Sequence, residues 1–275
     1  MATEYTLSTE WWTEGGLLEL VDTSGNLMLS FPLAFLNAGH VATFDYVQQV
    51  LAMCFTGAIN ITSLDGTPKR RDQPIVAERL LVTSDATGIQ ATRGPRFKDA
   101  FRAPPNDDTA STMSHSSRSS VNQSTFRTKL QIRDGGCVIS NAHFTASVPA
   151  HILPVSRPEY YREILGLHRN ARLYDTSYGL LLARDLHHAF DRGSIALYPD
   201  ENRLIVHVFT PRAAAWRPYH GKIILPSRFR TEFEPAPNIE LLRFHYRQCC
   251  MMHLRGYAAQ MNLPQRVSDE PSQPR

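Results

Sequence analysis

Residues 175–193 read DTSYGLLLARDLHHAFDRG, and how this run is divided decides the reading of the whole chain. From Leu182 onward the apolar spacing predicts a helix: Leu186 and Phe190 lie four apart as a core-facing stripe, and Gly193 stands just past the end. His187 and Asp191 are also four apart. On a helix they share one face, so an imidazole and a carboxylate can converge on one cation. Taken alone, the same spacing describes a surface pair that stabilises the helix by about 0.3 kcal/mol. His188 points about 100° away from His187 and reads as an exposed residue.

Toward the N-terminus, residues 148–154 read VPAHILP, which puts His151 in an extended apolar run closed by Pro154. Before it, residues 133–140 read RDGGCVIS, a turn leading into a short apolar strand. On the other side, the runs 195–198 and 204–209 flank Pro199-Asp200-Glu201-Asn202 as a hairpin. Tyr160, Tyr161 and Trp216 could stack on bases, although burial is the commoner fate of such rings.

The first part of the chain has a different texture. Residues 17–21 and 27–31 flank a Thr23-Ser24-Gly25-Asn26 turn as a hairpin. Thr43 can cap a helix whose apolar positions are Phe44, Val47, Val50, Leu51, Cys54 and Phe55, with Gly57 as its stop. With a β-rich stretch at 75–84, residues 1–102 read as a small α+β module containing no catalytic constellation, a unit for interaction or scaffolding. Residues 103–125 hold seven serines and two prolines and few apolar side chains, the composition of a flexible linker. Residues 126–258 form the second structured unit, and the polar, proline-bearing tail 259–275 reads as disordered. The four cysteines, Cys54, Cys137, Cys249 and Cys250, include no CxxC and read as small apolar core residues.

Charge separates the two parts. The net charge of +3 arises from 9 Lys+Arg against 13 Asp+Glu up to residue 125, and 20 against 13 beyond it. Arginine outnumbers lysine by 25 to 4. Arginine is the better fork for phosphate, so the basic C-terminal part suggests a polyanion partner. Arg157, Arg184 and Arg192, with arginines at 162, 169 and 172, lie close in sequence to the histidine segments. They are placed to neutralise phosphates without reading sequence. No basic, apolar leader and no run of about 18 apolar residues is present, which describes a soluble, intracellular protein without a membrane partner.

Strand histidine, turn and ligand-bearing helix together resemble the HNH endonucleases, in particular the fungal branch carrying AHI-P and GLLL-x-x-x-LH-x-x-FD-x-G. The run at 133–140 and the segment 240–246, which is similar to the family's closing helix, extend the resemblance over residues 126–256. It implies an α+β fold with a ββα-metal domain at the C-terminal end. It also implies divalent-metal-dependent hydrolysis of phosphodiester bonds in nucleic acid, DNA for preference. In that scheme His151 is the general base, because an imidazole with an ordinary pKa of about 6.5 is largely neutral at pH 7. His187 and Asp191 hold the cation, Mg²⁺ or Mn²⁺ before Zn²⁺, which offsets charge that develops in the transition state.

The sequence departs from the family pattern at two positions. Tyr178 stands where an asparagine usually orients the base, and a tyrosine hydroxyl has a different reach from an amide. Ala150 stands where many such sites carry a further metal ligand. Tyr178 therefore supports an alternative, a catalytically silent DNA-binding or adaptor protein that retains the fold. A third reading gathers Cys137, His151 and His187 around structural zinc, though without the CxxC pairs that usually frame such sites.

Overall fold

The computed structural model describes residues 7–57, 59–71, 73–84, 89–92, 116–168 and 173–255. The N-terminal hairpin forms as the alternation predicts, with β1 (Leu17–Val21) antiparallel to β2 (Leu27–Pro32). Asp22 closes its turn by accepting from the Ser24 and Asn26 amides. A short helix α1 (Leu33–Ala38) leads to α2 (Phe44–Cys54), whose N-cap Thr43 accepts from the Tyr46 amide. Two short strands follow, β3 (Phe55–Thr56) and β4 (Ile59–Thr62), then β5 (Glu78–Ser84) and β6 (Gln90–Ala91). The four-stranded sheet has the order β2-β1-β5-β4, with β1 and β5 parallel, and β3 pairs with β6.

Helix α3 (Ser116–Asp134) revises the linker expectation. Residues 103–115 lie outside the described residues, but residues 116–125 are helical. The reason lies just downstream: Phe126 and Leu130 sit four apart and both are buried, as is Arg133. Tertiary docking of that end supplies stability that serine-rich propensity does not. The expected tail, 259–275, lies outside the described residues.

Beyond α3 come β7 (Ser147–His151), α4 (Pro158–Leu165), β8 (Gly179–Ala183) and α5 (Arg184–Asp191). The hairpin β9 (Ile195–Asp200) and β10 (Arg203–Val208) follows as expected, then β11 (Ile223–Ile224) and α6 (Ile239–His253), which begins at the Asn238 cap. Two local expectations fail. Leu182 and Ala183 belong to β8 and not to the helix, because residues 179–183 pair antiparallel with β7 over five positions, His151 opposite Gly179. The first four of those residues are buried, and a strand buried on both faces reads as a continuous apolar run, which periodicity alone does not separate from a helix. Likewise Arg133 and Asp134 end α3, and residues 137–139, though buried, form no strand. Their backbone is tied to β8 by the Val138 amide on Leu181 O at 2.9 Å.

The sheet β11-β10-β9 divides the interior into two cores. Ala196, Tyr198 and Ile205 face a core shared with Leu18, Phe31, Val47 and Leu51 of the N-terminal module. Ile195, Leu197, Leu204 and Val206 face a second core with Leu180, Leu182, Leu186 and Phe190. That is the period-two alternation of a strand with both faces covered. Helix α6 serves both cores, Leu241 and Leu242 on one side, Tyr246, Cys250 and Met251 on the other. All four cysteines are free and buried.

Two neutral histidines bond β10 and the 220 turn to α1. His207 Nε2 lies 3.0 Å from Gly39 O and His220 Nε2 2.9 Å from Phe35 O; a carbonyl only accepts, so both Nε2 atoms carry the hydrogen. His220 Nδ1 then accepts from the Val208 amide, and His207 Nδ1 accepts from the Tyr246 hydroxyl at 2.6 Å. Among the described residues no helix is long and apolar enough to cross a membrane.

Candidate active site

The hairpin β7-β8 with α5 packed across it brings the histidine segments together. His151 is the last residue of β7, and the next amide, Ile152 N, donates to Tyr178 O at 2.8 Å, extending the ladder by one bond at the end where the connection between the two strands begins. The imidazole is boxed on three sides. Phe126 of α3 stacks flat on it, centroids 4.4 Å apart and planes 14° apart, while Tyr174 meets it edge-on at 5.6 Å. Nε2 lies 3.0 Å from Leu173 O. The neutral ring therefore keeps its hydrogen on Nε2, and Nδ1 is the nitrogen with a free lone pair. Burial pulls the His151 pKa down to about 4, against the opposing pull of the Leu173 carbonyl and the Asp191 carboxylate. At neutral pH the ring is uncharged.

On α5, His187 Nε2 lies 3.1 Å from Asp191 Oδ2, the pair the spacing predicts. The charges of both residues act on His151, so the three share one electrostatic neighbourhood. The His188 ring lies beside that of His187, 5.9 Å away and nearly parallel. The buried stripe of the helix is Leu186, Ala189 and Phe190.

Tyr178 does not take the expected place. Its ring packs on Tyr161 at 5.4 Å, and its hydroxyl has no hydrogen-bond partner among the described residues. Burial, with the nearby Asp175 carboxylate, raises its pKa. Its contribution beside His151 is its backbone carbonyl. Asp175 is engaged with its own turn, accepting from the Ser177 amide and hydroxyl.

Arg184 and Arg192 are exposed at the two ends of α5. Arg157 is tied down, ion-paired to Glu159 and lying over the Tyr160 ring. Tyr160 and Tyr161 are buried, not open to bases, and the Tyr161 hydroxyl donates to Leu153 O. The arginines at 169 and 172 lie outside the described residues.

A divalent cation was expected at this site, and the donor set tests that expectation. Among the described residues no group of three or more His, Cys, Asp and Glu side chains could hold a metal ion. The zinc reading through Cys137 fails on this point: its sulfur is buried and accepts from the Ser140 amide. What remains is one imidazole and one carboxylate on the exposed face of α5. Two such donors do not make a closed cage. They leave most coordination positions of a divalent cation to water and to substrate phosphate oxygens, and one nitrogen with one oxygen donor does not by itself select the ion.

Three contributors were not found from sequence. Phe126 fell at the edge of the expected linker, although its i, i+4 spacing to Leu130 was a helical signal. Leu173 acts through its carbonyl, which no side-chain pattern reveals. The third is the buried Arg133-Asp134 pair. Arg133 donates to Asp134 Oδ1 (2.6 Å), Thr176 O (2.6 Å) and Gly179 O (2.7 Å), while Asp134 Oδ2 accepts from the Leu181 amide at 2.8 Å. The pair thereby fixes both sides of Tyr178, opposite the end of β7.

No curated protein and no solved structure matches the chain. The segment that carries β7, β8, α5 and most of β9, residues 137–198, matches the family model for HNH endonuclease, which supports a nuclease-type domain in this part of the chain.

Proposed function

We propose that the protein is an endonuclease that hydrolyses phosphodiester bonds of nucleic acid, DNA for preference, through a ββα-metal site with His151 as general base. The observation that carries this reading is the division of labour on the His151 ring: Nε2 is committed to the Leu173 carbonyl, and Nδ1 is free to accept. The base takes a proton from the attacking water at Nδ1. The imidazolium that forms has the Asp191 carboxylate in its field, which favours the charged form. A pKa of about 4 makes the ring a weak base, yet keeps it almost wholly in its proton-accepting form at pH 7.

His187 and Asp191 would hold a divalent cation, Mg²⁺ or Mn²⁺ before Zn²⁺, with water and phosphate filling the other positions. When bound, the cation supplies positive charge to the developing phosphorane and the departing oxygen. Arg184 and Arg192, exposed at the ends of the same helix, meet backbone phosphates and position the strand. Arg157 does so only by leaving Glu159.

Plasmid nicking with Mg²⁺ or Mn²⁺ tests the proposal. Wild type nicks, while His151→Ala and His187→Ala lose activity by about 10²-fold or more. Equal nicking by wild type and His151→Ala overturns the assignment of the base. A second reading, a nucleic-acid-binding protein without catalysis, draws on the Tyr178 hydroxyl, which has no bond to His151, and on the two-donor cation site. It predicts salt-sensitive DNA retention and no nicking.

A further inference from the structure

We propose that Phe126 is a positioning residue for the base, so that helix α3, which lies outside the matched segment, belongs to the active site. The inference rests on His151 being the base. A stacked plane fixes two of the three rotations of an imidazole, and the bond from Nε2 to the Leu173 carbonyl fixes the last, in the ring plane, and places the hydrogen on Nε2. Together they hold the Nδ1 lone pair in one direction. This is the task left unfilled by Tyr178, whose hydroxyl does not reach the ring.

A second, independent observation comes from the opposite strand. Gly179, the cross-strand partner of His151, has an ordinary extended backbone, so no conformational demand calls for glycine there. The demand is space: a Cβ at Gly179 would lie 2.3 Å from Phe126 Cζ and 2.9 Å from Ala150 O. The sheet is cut away where the Phe126 ring comes in. Phe126 is itself buried and also meets Tyr174 edge-on at 6.0 Å, so the ring is fixed by its own neighbours.

The test uses the full chain with Phe126→Leu, which keeps an apolar side chain and removes the flat face, and with Phe126→Met should the first variant melt early. Two readouts are taken. In NMR of the histidine rings, wild-type His151 carbon-bound protons are displaced upfield relative to those of a free, solvent-exposed imidazole, and its nitrogen shifts report hydrogen on Nε2. Both signatures are lost in Phe126→Leu. In plasmid nicking, kcat falls about 10- to 100-fold, with KM unchanged within about twofold. Loss of the ring current alone moves only the carbon-bound protons, so a merely structural residue would leave the nitrogen shifts of the folded fraction at their wild-type values. Wild-type nitrogen shifts in Phe126→Leu, or full kcat despite displaced nitrogen shifts, overturn the proposal. A wild-type protein that shows the stacked signature but nicks nothing overturns the nuclease reading and not the ring placement. Nicking by a wild type that lacks the signature overturns the ring placement alone.

Discussion

Replacing Arg133 by methionine isolates what the buried ion pair contributes. Arg133 is fully buried and Asp134 nearly so. The guanidinium makes two bonds to the Asp134 carboxylate, at 2.6 and 3.0 Å, and three to the carbonyls of Thr176, Gly179 and Pro235. Burial raises the Asp134 pKa even against its charged partner, so the carboxylate depends on that partner to stay ionised. Removing one member of a buried pair typically costs 3–5 kcal/mol because a charge is stranded, so about 4 kcal/mol is expected. With a urea slope of about 2 kcal/mol/M, the midpoint falls by about 2 M. Arg133→Lys recovers little, since an ammonium cannot span a carboxylate and three carbonyls at once. The double variant Arg133→Met/Asp134→Asn loses less than the sum of the single losses by more than about 1 kcal/mol, because the amide leaves no stranded charge. Urea unfolding followed by far-ultraviolet circular dichroism measures all five proteins: wild type, Arg133→Met, Arg133→Lys, Asp134→Asn and the double variant. A loss below about 1 kcal/mol for Arg133→Met, or strict additivity in the cycle, refutes the reasoning.

Other perturbations reach other parts of the fold. Stability should fall with acid: His220 and His245, like His151, are buried neutral with pKa values pulled down to about 4, and burial pulls His207 well below the usual histidine range as well. The unfolded chain binds these protons near pH 6.5, so the full stability is present above that value. It is lost as pH falls toward 4, by about 3 kcal/mol per histidine at the acid limit; a urea midpoint that is flat between pH 7 and pH 5 contradicts this. Gly221→Ala should destabilise by about 2–4 kcal/mol, since the residue has φ +78° and a Cβ there would sit 1.9 Å from Ala38 O. Thermal melting reads it. The four buried cysteines should resist a thiol-reactive dye at pH 8 in the native protein and all react in urea. Burial also holds the Cys54 thiol up at about 12, so rapid native labelling would contradict the packing.

What could be read in advance follows from how local each signal is. The helix α2 and the hairpins β1-β2 and β9-β10 are written in neighbouring residues: a Thr43 cap, 3.6-residue spacing, turn residues between alternating runs. The α5 pair His187 and Asp191 was legible for the same reason. The boundary at Leu182 was not. GLLLA is buried by β7 on one edge and by two layers of side chains, and nothing inside five apolar residues distinguishes that from the first turn of a helix. The partnership of β9 with two cores was also hidden. Its run IALY is apolar throughout, and only the N-terminal module packed on one face explains why.

The proposed base, His151, shows the same limit at the level of chemistry. Side-chain types named His151, but its charge state, its tautomer and its orientation are set by a ring from α3, a carbonyl at 173 and a glycine across the strand. Each of the three is silent in a motif: phenylalanine reads as core, a carbonyl belongs to every residue, and glycine reads as a turn. Tyr178, the conspicuous departure, sits in the motif position where orientation is expected and yet contributes only a backbone bond. We assign the orienting function to geometry and not to the motif position. If that holds, Tyr178→Phe leaves nicking within about twofold of wild type, because the hydroxyl it removes has no bond in the site. A loss of tenfold or more would return the orienting role to the tyrosine hydroxyl.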